Sequence, residues 1–129
     1  MPYGRLMNWE VVLVDEVARW FELLCGDDVA TADRVEEAID KLAQDGPTLG
    51  RPLVDRVKGS GVHNLKELRP ASAGRSEIRI LFVFDPERRA VPLIGGDKAG
   101  DWQRWYEVNI PVAEQRYKRY LGTVEESGA

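Results

Sequence analysis

Cysteine and histidine are nearly absent from this chain: its 129 residues include one of each, Cys25 and His63. A single cysteine excludes an intrachain disulfide, and a reducing cytoplasm is the expected setting. Metal sites built on imidazole or thiolate need more ligands than these, and no motif marks an all-carboxylate magnesium site. No metal and no cofactor are therefore expected. A ribonuclease working through two histidines is excluded on the same count. A phosphate-cradling glycine loop is missing as well, because Gly95-Gly96-Asp97-Lys98 has the wrong spacing. No apolar run approaches the roughly 20 residues that span a bilayer. Met1–Asn8 lacks the basic-then-apolar order of a secretory signal. The expectation is one cytoplasmic domain over residues 1–129, without membrane contact, with 122–129 a flexible tail.

Positive charge is also scarce overall, the formal net charge being −4. Its distribution is uneven. Residues 1–50 hold 4 basic and 11 acidic side chains, residues 51–79 hold 7 and 3, and residues 80–129 hold 7 and 8. Only the central block, with Arg51, Arg56, Lys58, Lys66, Arg69, Arg75 and Arg79, is cationic. A local basic stripe on an acidic body suits a defined phosphate site better than the coating of a duplex.

The apolar pattern outlines an α+β fold. Asn8–Val14 alternates as a strand. Asp15 can cap a helix to about Cys25 whose apolar face is Val17, Trp20, Phe21 and Leu24. Gly26-Asp27-Asp28 restarts a second helix, read through Ala32, Val35, Ala38, Ile39 and Leu42 and stopped by Gly46-Pro47. Two helices so close in sequence form an antiparallel hairpin. Residues 48–61 read as loop, Val62–Arg69 as a strand, Glu77–Phe84 as the strongest strand and Ala90–Gly95 as the last. Asp101 opens a final helix that Pro111 interrupts or restarts. The order β-α-α-β-β-β-α places an N-terminal strand and a helical hairpin against a mainly antiparallel, twisted sheet. Ile78, Ile80, Phe82 and Phe84 then face the hairpin, and the opposite face, with Arg79, is left open. Trp9, Trp20, Trp102 and Trp105 read as core anchors, and Cys25 as a packing residue.

By elimination, the chemistry rests on arginines and lysines. An arginine within the most apolar strand is costly unless paired or working. Two readings of Arg79 stay open. One is a cross-strand ion pair, Glu67 with Arg79 or Glu77 with Arg69; the other is phosphate contact, with Lys66 and Arg75 nearby in sequence.

The segments His63-Asn64-Leu65-Lys66-Glu67-Leu68-Arg69, Arg75 to Asp85, Gly96-Asp97-Lys98 leading to Trp105-Tyr106, and Ile110-Pro111 with Ala113 and Arg116-Tyr117 resemble the RelE/ParE superfamily of toxins, closest to its HigB-like, phage-derived branch. The resemblance covers roughly residues 9–121. It implies a RelE-like fold and a type II toxin neutralised by a cognate antitoxin, often a helix-turn-helix protein of HigA type. It further implies an endoribonuclease that cuts ribosome-bound mRNA. Arg69 and Arg79 would contact phosphate, with Lys98 and Tyr106 completing the catalytic set. Lys58, His63, Lys66 and Arg75 would bind RNA, and Glu67, Glu77 or His63 would serve as base. The extra lysines that the family's ribosome-dependent members often carry on the second sheet strand are missing, their outward positions falling on Leu65 and Glu67. Two alternatives share the fold: a ParE-type toxin that inhibits DNA gyrase without cutting nucleic acid, and an inactive relic that only binds its antitoxin.

Overall fold

A computed structural model describes residues 9–128; the irregular start, with the Asn8 end of the expected first strand, lies outside them. A two-residue strand, β1 (Glu10–Val11), leads to helices α1 (Asp15–Asp27) and α2 (Val29–Asp45) and a single 3-10 turn at Gly46–Thr48. Strands β2 (Val54–Arg56), β3 (Lys66–Leu68), β4 (Ile78–Phe84) and β5 (Arg89–Asp97) follow, then helix α3 (Trp102–Gly128). The sheet order is β1-β5-β4-β3-β2, antiparallel except that β1 runs parallel to β5. The class is α+β with a mixed sheet, and it carries one strand more than the sequence order foresaw.

Asp28 alone separates the two hairpin helices. Its carboxylate accepts from the Thr31 backbone N–H at 3.1 Å and from the Thr31 hydroxyl at 2.6 Å, which closes the open first turn of α2. Asp15 does not cap α1. Val14 holds that position, and Asp15 and Glu16 lie in the first turn, where negative charge suits the helix dipole. The α2 side chains Val35, Ala38 and Leu42 pack with Val54, Leu68, Ile78, Ile80 and Phe82, as the alternation of β4 required. Cys25, expected to pack, is exposed near the end of α1.

The opposite sheet face is not open. Leu65, Leu81, Val83, Val91 and Leu93 are buried there with Ala113, beneath Trp105, Tyr106, Ile110, Tyr117 and Tyr120 of α3. Four apolar strand positions on that face could not stay wet, and the aromatic stripe of α3 covers them. Gly95 and Gly96 make room for this two-sided packing. A Cβ at Gly95 would stand 2.6 Å from the Trp20 ring on the hairpin side, and one at Gly96 would stand 2.7 Å from Trp105 Nε1 on the α3 side. Consecutive strand residues face opposite ways, so each tryptophan rests on one glycine. Pro92 is tolerated inside β5 because the ladder breaks beside it. Leu81 pairs with Ile94 and Phe82 with Pro92, leaving Leu93 as an extra residue. Pro111 does not break α3; it sits on the exposed side of the helix, where water can take the carbonyl it leaves unpaired. The helix also continues past Gly122.

The β4–β5 turn is tied to α3 through Asp85, which is 4% exposed. Its carboxylate accepts from the backbone N–H groups of Glu87 and Arg89, from Arg89 Nε at 2.7 Å and from the Tyr120 hydroxyl at 3.0 Å. Burial works to raise its pKa, but these four donors outweigh burial and hold it below the ordinary carboxylate value. A depressed folded-state pKa adds stability that is present above the unfolded value, near pH 4, and is lost as pH falls through the folded value. Asp85→Asn is therefore expected to cost about 1–3 kcal/mol at neutral pH. It should also flatten the fall in Tm seen on acidifying below about pH 4. Thermal melts of both proteins across that range check this.

Candidate active site

Arg69 and Arg79 reach the same carboxylate from two neighbouring strands. Glu67 is central in β3, pairs in register with Asp55 of β2 and Leu81 of β4, and is 4% exposed. Arg69, just past the end of β3, donates from Nε at 3.0 Å and from one terminal nitrogen at 2.7 Å to Glu67 Oε2. The same terminal nitrogen lies 3.3 Å from Asp55 Oδ2. Burial opposes the Arg69 charge, but the hydrogen bonds and field of Glu67, with Asp55 behind it, raise its pKa above the ordinary value. Arg79 Nε stands 3.9 Å from Glu67 Oε1, and a terminal nitrogen donates to the Ile78 carbonyl at 2.8 Å. Arg79 Nε is buried without a hydrogen-bond partner. A buried guanidinium donor left unused is uncommon and calls for an explanation.

Tyr106 closes the cluster from α3 by donating its hydroxyl proton to Glu67 Oε1. Burial first, and the Glu67 carboxylate second, push its pKa well above that of an ordinary phenol, so it remains protonated at neutral pH. Lys98 Nζ lies 5.6 Å from the centre of the Tyr106 ring, a cation over an aromatic face. Trp105 and Trp102 meet the same ring edge-on at 5.2 Å and 6.4 Å.

Glu67, Arg69, Lys98 and Tyr106 of this cluster line a groove of about 620 Å³ between β2, β3 and the first turns of α3, and Arg79, which meets Glu67, is not among its lining residues. Arg51, Arg56, Lys58, Arg69 and Lys98 line it against two carboxylates, Asp55 and Glu67. A second groove of about 620 Å³ lies between the start of α1 and the far half of α3. Its cations are matched by carboxylates, since Arg119 is closed onto Glu16 at 2.6 Å and 2.7 Å. Of the two, only the first has an excess of positive charge, on a chain that is acidic overall.

The other candidates are dispersed. Lys58 is exposed at the groove's rim. Lys66 alternates with Glu67 and faces the other side of the sheet, beside Val54 and Arg56. Arg75 is exposed in the loop between β3 and β4. His63 is exposed and lines a separate groove with Val62, Glu114 and Tyr117. Glu77 is exposed at the end of β4, where its backbone N–H meets Asp97 and its carbonyl meets the Lys98 N–H. Leu65 and Glu67, read as outward positions, are 2% and 4% exposed, because α3 lies over them. Sequence reasoning did not place Arg51, Asp55, Arg56 or Trp102 in the groove. Their only advance signal was that the first three belong to the cationic block. Among the described residues, no group of three or more His, Cys, Asp or Glu side chains could hold a metal ion. None of the described helices is long and apolar enough to cross a membrane.

The family described as "Phage derived protein Gp49-like (DUF891)" matches residues 24–118, the span from the last turn of α1 through α2, strands β2 to β5 and most of α3. The chain belongs to this family. It is 52% identical over 118 residues to "Putative toxin HigB3" of Mycobacterium tuberculosis (strain ATCC 25618 / H37Rv), covering 92% of this chain and 98% of that protein. It is 46% identical over 114 residues to "Putative toxin HigB2" of the same organism, covering 88% of this chain and 55% of that protein. As a Gp49-like, HigB-like chain it falls on the toxin side of type II toxin–antitoxin pairs, and a cognate antitoxin is the partner that membership implies. All of the catalytic candidates named from the resemblance, Arg69, Arg79, Lys98 and Tyr106, lie inside the matched span.

Proposed function

We propose that this HigB-like toxin is an endoribonuclease that cuts ribosome-bound mRNA in the cytoplasm until a helix-turn-helix antitoxin blocks it. The observation that supports this reading is a cationic groove lined by Glu67, Arg69 and Tyr106, with Arg79 converging on the same Glu67 carboxylate from β4. In the proposed reaction the ribose 2′-oxygen attacks the adjacent phosphorus and its proton passes to solvent water in the groove. The bond from phosphorus to the 5′-oxygen breaks, and that oxygen leaves as a hydroxyl after taking up a proton. The products are a 2′,3′-cyclic phosphate and a 5′-hydroxyl end. Charge builds on the non-bridging oxygens, where guanidinium forks already in place lower the barrier. Arg69 lines the groove with about a third of its side chain exposed, and Arg79, outside the groove lining, has a buried donor without a hydrogen-bond partner that would have to turn toward a bound phosphate. Tyr106 supplies the proton for the leaving oxygen by releasing it from its hydrogen bond to Glu67, and solvent then reprotonates the phenol. Both Glu67 oxygens are already hydrogen-bonded, by Tyr106 and Arg69, which suits Glu67 to holding the guanidinium groups rather than taking a proton. The need for a 2′-hydroxyl restricts the reaction to RNA.

Inducing the chain in growing cells and following labelled methionine and thymidine incorporation tests the class of toxin. Loss of methionine incorporation ahead of thymidine is the expected result. Thymidine arrest first would replace the reading with a gyrase inhibitor, and normal growth would leave only antitoxin binding.

A further inference from the structure

Three of the four tryptophans are used up in packing. Trp9 lies against Gly46 and meets Phe84 edge-on at 4.9 Å, Trp20 rests on Gly95 and Trp105 on Gly96. Trp102 differs: it is 58% exposed, and its ring contact is the edge-on one with Tyr106. Neither core packing nor helix propensity explains an indole at this place, since tryptophan is only a middling helix former. It lines the cationic groove beside Lys98, Arg69 and Lys58. The neighbouring Tyr106 cannot offer the same service, because its hydroxyl is tied to Glu67 and Lys98 stands over its ring.

We propose that Trp102 is the base-binding subsite of this groove, an open indole face on which one base of a single-stranded RNA stacks while the basic side chains hold its phosphates. The inference rests on the RNA reading above and specifies how the substrate is held. A ligand for this surface must combine a run of negative charge with flat apolar faces, and single-stranded nucleic acid does so in every residue. Stacking tolerates any base, so the subsite adds affinity and register, and the residue is a positioning one.

The test uses a short 2′-O-methyl RNA, which cannot be cut, and a strand of equal length and charge without bases, each titrated by fluorescence anisotropy. Trp102→Ala is expected to bind the base-bearing strand about 10-fold more weakly or worse. It should bind the abasic strand as the wild type does, and Trp102→Phe should recover most of the difference. Because the side chain is exposed, the melting curve should not move. Equal binding of both strands by wild type and Trp102→Ala would overturn the stacking subsite and leave the cationic groove standing. A wild-type protein that binds neither strand would overturn the subsite, and failure to cut ribosome-bound mRNA as well would overturn the RNA reading itself. Weakened antitoxin binding by Trp102→Ala, with RNA affinity unchanged, would make the indole a protein contact and overturn the proposal.

Discussion

Arg79→Ala is expected to lower RNA cleavage by about 10²–10³-fold and to abolish toxicity, while leaving the fold and antitoxin binding in place. The size follows from removing a positioned donor at the point where charge develops. The small structural cost follows from what Arg79 does in the resting protein. It makes one hydrogen bond to the Ile78 carbonyl and stands 3.9 Å from Glu67, and its Nε has no partner. Losing one such bond costs about 1 kcal/mol. Arg79→Lys keeps the charge and loses the fork, so it should recover only part of the activity. Single-turnover cleavage, a thermal melt and an antitoxin titration on matched proteins separate these effects. Wild-type toxicity in Arg79→Ala at equal expression would remove Arg79 from the site.

Replacing Glu67 should have the largest effect on stability. Its side chain is 5% exposed and accepts from Arg69 and Tyr106, with Arg79 near. Glu67→Ala leaves two guanidinium groups facing each other and a phenol proton without an acceptor. Breaking a fully buried pair costs about 3–5 kcal/mol. Arg69 is 32% exposed, so water screens part of that charge, and about 2–3 kcal/mol is expected. Glu67→Gln preserves an acceptor for Tyr106 and should lose less. It also separates two roles for this carboxylate. A general base would take the acidic limb of the pH–rate profile with it when replaced by glutamine. A positioning carboxylate would lower the rate at every pH and leave the shape of the profile unchanged, which is the expected result.

What the sequence displayed, and what it concealed, follows from the range of the interactions involved. The hairpin was legible because Val35, Ala38 and Leu42 repeat at helical spacing, and β4 because its alternation persists through seven residues. β2 was hidden, since three residues among glycine and proline carry no usable period. The pairing of the basic residues was legible only as alternatives. Glu67 does meet Arg79, at long range, but its closest basic partner is Arg69, two residues along the chain and just past the strand. The covering of the second sheet face was misread for a clear reason. The face of β4 that carries Arg79 also carries Leu81 and Val83; two apolar residues there require a cover, and the aromatic stripe of α3 supplies it. The groove was thus narrowed from a sheet face to a cleft between β2, β3 and α3, and Arg51, Arg56 and Trp102 entered it only through that tertiary closure.

The most direct measurement is the chemistry of the cut end. Ribosome-bound mRNA in magnesium buffer is incubated with the full chain, and the new 3′ ends are analysed, with the Arg69→Ala, Arg79→Ala double variant alongside. A 2′,3′-cyclic phosphate formed by the wild type, and absent with the double variant, is the predicted result. A 3′-hydroxyl end, or equal cutting by the double variant, would contradict phosphodiester cleavage by this guanidinium pair.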